Sequence, residues 1–378
     1  MAEIRVDITS SLLAVAEQWA DLVRRAAANV FMDPDALNTV FETGFSILQV
    51  LLAWDTGVAP QRLVGLWALQ ESSITPLGPA YLLAPPYNYS FLSTPVIDPA
   101  FMDEVAAAFI GAIEADPNLP KLIRVKSLDG QSEASAAILA ALAKDGARCR
   151  ILSRRQRPFA AREGSVKTSG STRKKMRQDW NRLSAAGTVD IVNDPAAIKD
   201  GIEVFLGLEA ASWKGKEGTA LLSNPSDANF ARRFLTNLAA GRKASVALLR
   251  IDGKPIAAQV LLYEGDMAYT WKTAYDEAYA KYSPGALLVD KMTEELFNSG
   301  VAAIESCSPE GGFMGRMWQG RRETLDLLAD VGARRSMAFT VATLAASGRA
   351  EAKKARDKLR TITWLSKPKS PPPAAKAS

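Results

Sequence analysis

The 378-residue chain contains no histidine. That single absence excludes Ser-His-Asp and Cys-His nucleophilic mechanisms, imidazole proton shuttles and histidine-ligated metals. Cysteine is scarce: Cys149 and Cys307 stand alone and far apart. Two such thiols cannot build a Cys-rich metal site, so no metal is expected. They fit reduced, buried thiols of a cytoplasmic protein. Long apolar runs are missing as well. No uncharged stretch reaches the roughly 18 residues of a membrane helix, so no membrane span is expected. The start, MAEIRVDITSSLLAVAEQWADLV, puts acidic residues early and no basic cluster before an apolar block, unlike a secretory signal.

What is present describes an ordinary globular chain. At 48% hydrophobic and 23% charged it can bury sizeable cores, and its length predicts two domains. The net charge of +5 is mild and partly sits in a Lys-rich C-terminal tail, so it does not imply nucleic acid by itself.

Periodicity predicts helices over 9–28 and 33–43, the second capped. Strand-like runs follow at 47–54, 63–69 and 80–83, then a turn-rich aromatic loop, PPYNYS, at 85–90. A helix from Asp98-Pro99 to about 114, a strand at 121–125, a helix at 132–144 and a strand at 148–152 complete an α/β domain over 1–163. The basic segment GSVKTSGSTRKKMR leads into a second domain over 164–345. Its elements are a helix to Leu183, a strand at 188–193, helices at 196–213 and 229–240, and a hairpin at 244–263 turning on Asp252-Gly253. A strand at 267–274, a helix from Pro284 and a strand at 301–305 follow, and 321–328 reads equally as strand or helix. The tail 346–378 is basic and rich in Pro, Ala and Lys, and is expected to be disordered.

Residues 268–299 carry the most chemistry. A β-rich run enters a polar turn, Tyr275 to Ser283, and Pro284-Gly285 open an amphipathic helix. A strand feeding a helix N-terminus presents free backbone N–H groups to an anion, which suits a phosphate-bearing cofactor; the plain alternative is a Pro-Gly turn and nothing more.

The run KTAYDEAYAKYSPGALL, preceded by the hairpin DGKPIAAQVLL, resembles the acyl-CoA N-acyltransferase (GNAT) superfamily. Within it the chain is similar to the bacterial CelD-like group, the cellulose-biosynthesis acetyltransferases. EAASWKGKEGTALL (209–222), GSTRKKMRQDWNRLSAAG, NVFMDPDALNTVF and the 85–98 loop carry the resemblance over about residues 10–335. It implies two tandem GNAT-like domains, as in Fem-type transferases, each a mixed, mostly antiparallel sheet flanked by helices. It also implies transfer of an acyl group, most simply acetyl, from acyl-CoA to an amine or hydroxyl of a small molecule or glycan precursor. Fem-like aminoacyl transfer from tRNA and a non-catalytic accessory module in polysaccharide biosynthesis are the alternatives. A splayed cofactor strand with an open cleft favours the enzyme; a cleft filled by side chains favours the module.

The resemblance assigns residues. The backbone of Trp271, Lys272, Thr273 and Ala274 would hold the pantetheine arm and polarise the thioester. Lys281, Ser283, Gly285, Ala286 and Leu287 would hold the pyrophosphate. Pro284 stands where the family pattern has its first glycine, which removes one N–H donor. Without histidine, proton transfer falls to carboxylates and tyrosines. Glu305 ends a buried strand and ranks first as base; Asp276 lies at the turn; Tyr275 is placed to return a proton to the thiolate. Their plain readings are a strand-end charge in water, a turn cap and a packing ring. Trp213 and Lys214 are candidate acceptor contacts, although a helix end with Gly215 as its cap explains all but the tryptophan. Gly311 to Trp318 reads as a glycine-rich flap that places Trp318 over the acceptor. Arg173, Lys174, Lys175 and Arg177 would bind phosphates or form a solvated helix face; with little aromatic interleaving, single-stranded nucleic acid is not expected.

Overall fold

Among the described residues, runs of alternating or fully apolar residues form thirteen strands of one mixed sheet. They are β1 (Ile4–Thr9), β2 (Leu48–Asp55), β3 (Arg62–Ser73), β4 (Ala80–Ala84), β5 (Val96–Ile97), β6 (Leu122–Asp129), β7 (Arg148–Ala161), β8 (Val189–Asn193), β9 (Ala244–Ile251), β10 (Lys254–Glu264), β11 (Met267–Tyr275), β12 (Ala303–Glu305) and β13 (Arg321–Asp330). The helices are α1 (Ala16–Val23), α2 (Pro34–Thr43), α3 (Met102–Ala115), α4 (Glu133–Lys144), α5 (Ser171–Ser184), α6 (Ile198–Ala211), α7 (Trp213–Lys216), α8 (Pro225–Ala240) and α9 (Pro284–Asn298). The computed structural model describes residues 3–332 apart from 10–11, 13–14, 74–79 and 145–146, together with 337–344 and 348. Met1–Ala333 make up one compact unit. In the other, residues 337–344 are helical, and most of the tail expected to be disordered lies outside the described residues. Among the described residues no helix is long and apolar enough to cross a membrane.

The strand order is β1-β2-β3-β4-β6-β13-β7-β12-β11-β10-β9-β8, with β5 beside β3. Most neighbours are antiparallel; β4·β6 and β11·β12 are parallel. The two halves expected as separate domains thus share a continuous sheet, joined through β7. The strand expected at 148–152 runs on to Ala161 because its first part pairs with β13 and its last residues pair with β12. Residues 321–328, ambiguous by periodicity, are strand β13. This strand leaves the second half to pair with β6 in the first, so the boundary expected at 163/164 does not separate the strands.

Two further expectations change. Within the helix expected over 9–28, the described helix is the shorter α1, Ala16–Val23, and Thr9 instead ends strand β1. Ile4, Val6 and Ile8 alternate on β1, which pairs with β2 through Thr9, ahead of the helical spacing that begins at Leu12. The long helix expected over 196–213 breaks at Ser212. That residue is extended, and its hydroxyl accepts the Lys214 N–H to start the one-turn α7. Gly215 is therefore no helix cap. A Cβ there would lie 1.8 Å from the Ala210 carbonyl oxygen, so only glycine fits the close return of the chain.

Side-chain caps start α2, α8 and the 3-10 turn that leads into α3. Asp33, Asp98 and Asn224 each accept the N–H two residues on, with proline at the following position. The hairpin between β9 and β10 turns on Asp252 (φ 49°) and Gly253 (φ 78°), the left-handed pair that a two-residue hairpin demands. In the second half of the sheet, α6 and α8 cover one face and α9 covers the other.

Candidate active site

The site is set by where two strands part. β11 pairs with β10 from end to end, but with β12 only over Met267 to Tyr269, the last pair being Tyr269 with Glu305. Thr270 closes the junction: its hydroxyl donates to the Ser306 carbonyl at 2.7 Å, and the chain beyond turns away with Cys307 left-handed (φ 49°). From Thr270 to Tyr275 the β12-facing edge of β11 has no backbone partner among the described residues.

A bulge sits in the same stretch. The register jumps between Val260 and Leu261, leaving Trp271 without an opposite residue. A bulge turns two successive side chains to one face. Accordingly Trp271 and Lys272 both pack on the α6–α8 side, where Trp271 meets Phe234 and Lys272 meets Glu209. Thr273 and Tyr275 face α9, where a Cβ added at Gly285 would lie 3.5 and 3.3 Å from them.

On the α9 side the splay opens into a cleft of about 490 Å³. Its walls are Thr273 and Tyr275 of β11, Ser283, Gly285 and Ala286 at the start of α9, Lys175 and Met176 of α5, and the turn carrying Phe313 and Arg316. Side chains do not fill it. The Thr273 hydroxyl is buried at its wall with no hydrogen-bond partner, so the lining keeps polar capacity for a ligand.

The start of α9 offers fewer donors than its sequence suggests. Ser283 is left-handed (φ 54°) and its carbonyl accepts the N–H groups of both Ala286 and Leu287. Pro284 has no N–H. Gly285 is left as the one backbone donor of this turn without a backbone partner among the described residues. Side chains add to it: Lys175 reaches the Ser283 hydroxyl at 3.5 Å and pairs with Asp179, and Arg316 makes no ion pair among the described residues. Lys281 is exposed and lies over the Tyr282 ring, 4.9 Å from its centroid, while Leu287 is buried in the core.

Several expected site residues lie elsewhere. Glu305 does not line the cleft and is not a strand-end charge in water. Its side chain is 0% exposed, between Arg157 of β7 (3.5 Å) and Arg322 of β13 (3.1 Å), and accepts the Cys307 N–H at 3.2 Å. The carboxylate is locked between two guanidinium ions in the interior, away from any acceptor in the cleft. Asp276 caps the turn after β11 and pairs with Lys254; those hydrogen bonds, the Ala278 N–H first, hold its carboxyl below the usual range. Trp318 is fully buried, bridged to Val166, and is not poised over an acceptor.

The α6–α8 face holds a group that spacing did not reveal. Glu209, 0% exposed, accepts the Leu221 N–H at 2.9 Å through one oxygen. Its other oxygen faces two lysines, Lys214 at 3.0 Å and Lys272 at 3.4 Å. Burial pushes the Glu209 carboxyl up, but the charges of Lys272 and Lys214 outweigh it and hold the carboxyl below its usual range. Tyr89, from the 85–98 loop, closes this face. Its ring lies 5.0 Å from the Lys272 nitrogen, its carbonyl accepts the Trp271 indole N–H at 2.9 Å, and its hydroxyl donates to Asp227 at 2.7 Å. Trp213 stands at the rim, 48% exposed. A polar residue on an apolar helix stripe was the available signal for Glu209, and it is weak.

Residues 170–310 match the family of acetyltransferase (GNAT) domains. No curated protein matches the chain. Among solved structures, FemX aligns with 85% of this chain and 96% of its own at TM-score 0.58 and 9% identity. The C-terminal domain (DUF2156) of a protein described as a lysylphosphatidylglycerol synthetase, from Agrobacterium fabrum, aligns with 88% of this chain and 95% of its own at TM-score 0.55 and 13% identity. L-PGS from Bacillus licheniformis aligns with 86% and 94% at TM-score 0.52 and 13% identity. At these identities the likeness is one of fold.

Proposed function

We propose that this chain, whose residues 170–310 match a GNAT domain, moves an acyl group, most simply acetyl, from acyl-CoA to an amine or hydroxyl. The acceptor fits a small molecule such as a sugar or polysaccharide precursor. The observation that carries the reading is the splay of β11 from β12, which leaves backbone edge groups unpaired beside an open cleft. The accessory-module alternative predicts a filled cleft and is disfavoured on the same observation.

In this reading the free edge of β11 between Thr270 and Ala274 binds the pantetheine arm and polarises the thioester carbonyl, using dipoles already in place. The Gly285 N–H, the Ser283 hydroxyl and Lys175 hold the pyrophosphate at the positive end of α9, with Lys281 and Arg316 at the rim. Tyr275, in the cleft wall, is placed to protonate the departing thiolate. The acceptor enters from the opposite face, between Trp213, Lys214, Tyr89 and Lys272. Transfer is direct, with both substrates bound together.

Fem-like aminoacyl transfer is the second reading. The fold likeness to FemX supports it, as do the cations around α5: Arg173 and Arg177 line a neighbouring pocket with Arg162, Lys167 and Lys291. A phosphate-rich donor larger than CoA would use them. Titration calorimetry with acetyl-CoA, CoA and charged tRNA separates the readings. Binding of acetyl-CoA supports acyl-CoA transfer, binding of charged tRNA alone supports the Fem-like reading, and no binding of either at millimolar ligand refutes both.

A further inference from the structure

We infer that Lys272 accepts the proton of the acyl acceptor and that Glu209 and Lys214 tune it for that task; this rests on the transferase reading above. The argument is geometric. Residue 272 lies on the strand whose free edge faces the cleft, and the bulge at Trp271 turns its side chain to the face opposite α9. The side chain is 14% exposed, enough to touch a bound acceptor and too little to be hydrated as a surface lysine is.

Its neighbours set up a competition. Lys214 and Lys272 approach the same Oε1 of Glu209, whose other oxygen is taken by the Leu221 N–H. One carboxylate cannot fully neutralise two ammonium groups, so one lysine holds its proton weakly. Lys272 is the more buried of the pair, at 14% against 24% exposed. Asp227 is the other carboxylate on this face, but it is engaged by the Tyr89 hydroxyl, which burial pushes up and keeps protonated. The Tyr89 and Trp271 rings favour a cation over their faces, but burial prevails and the Lys272 ammonium lies below its ordinary value. A lysine whose ammonium lies below its ordinary value gives up its proton more readily than a surface lysine, which suits a general base.

The step balances. The acceptor's nitrogen or oxygen lone pair attacks the thioester carbonyl carbon, the C–S bond breaks, and CoA leaves as a thiolate. The acceptor's proton moves to the neutral Lys272 amine. Lys272 then releases one proton to solvent, and the thiolate takes one up.

The test uses the full chain with its lysines reductively methylated with ¹³C-formaldehyde. The resonance missing in K272R is followed by NMR through a pH titration. Lys272 is expected to titrate clearly below the bulk of the lysines, lower still in E209Q and higher in K214M. A lysine not coupled to Glu209 and Lys214 would not give this opposite pair of shifts, and the thiol-release assay separates a base from a bystander. Thiol release from acetyl-CoA, with water as the acceptor, should rise through the same titration and fall at least tenfold in K272M. Titration of Lys272 with the bulk lysines, shifts absent in E209Q and K214M, or equal thiol release in K272M and wild type would each overturn the inference. Failure of the wild-type chain to bind acetyl-CoA overturns the transferase reading instead, and leaves the titration as an independent result.

Discussion

Glu305 decides between two accounts of the site. Replacing it with alanine removes a carboxylate that is 0% exposed, from between guanidiniums whose side chains are 9% and 14% exposed. Breaking a buried ion pair from one side costs about 3–5 kcal/mol, because the remaining charge stays buried. Both arginines retain other partners: Arg157 donates to the Phe91 carbonyl and the Ser127 hydroxyl, and Arg322 lies 3.3 Å from Asp129. That places the ionic loss at the lower end of the range. The buried Cys307 N–H loses its acceptor, which adds ~1–3 kcal/mol. The expected destabilisation of Glu305→Ala is therefore about 4 kcal/mol. Glu305→Gln, which keeps an oxygen for Cys307, should lose less. Guanidinium denaturation followed by tryptophan fluorescence measures both. If Glu305→Ala costs under ~1 kcal/mol while acyl transfer collapses, Glu305 is a proton acceptor after all and the lock described here is wrong.

Three further outcomes follow from the same structure. Gly215→Ala forces a Cβ onto the Ala210 carbonyl and should cost about 3 kcal/mol by denaturation, while loosening Trp213 and Lys214 at the acceptor rim. Burial, then the charge of Asp33, pushes the Glu264 carboxyl well up, so the folded chain keeps a proton that the unfolded chain releases in the ordinary carboxylate range. Stability from this group is full below that range and falls as pH rises toward the raised folded value; melting temperatures across pH should show a slope that Glu264→Gln reduces. Lys175→Met should weaken acyl-CoA binding by about 1.5–3 kcal/mol, the worth of one hydrogen bond to a charged group, and also lower the melting temperature, because the buried Asp179 loses its near partner.

Local signals were legible in sequence and long-range ones were not. Asp252-Gly253 announced its hairpin because only left-handed residues close such a turn, and Asp33-Pro34 and Asp98-Pro99 announced helix starts through capping chemistry. The strand–turn–helix around Gly285 was legible because a β-rich run enters a polar turn and Pro284 stands at the first position of the helix. β1 was missed because six alternating residues are too few to outweigh the helical stripe that follows. The return of β13 to the first half depends on pairing with β6, some two hundred residues earlier, which no local pattern encodes. Glu305 was chosen for burial beside the cofactor strand; the burial is real, but Arg157 and Arg322 come from β7 and β13 and change its meaning. A plain strand would put Trp271 and Lys272 on opposite faces, and the bulge puts both on one. The Glu209 cluster joins three helices' worth of sequence to one strand and a loop from the first half, so it appears only when the chain is folded.

The central claim is that the cleft between β11 and the start of α9 receives an acyl-CoA. Calorimetric titration of acetyl-CoA into the wild-type chain and into Gly285→Trp tests it most directly, since an indole at residue 285 would fill the space against Thr273 and Tyr275. Saturable binding to the wild type, lost in a Gly285→Trp variant that melts as cooperatively as the wild type, is the predicted result. Equal affinity in the two chains would place the ligand elsewhere and contradict the account.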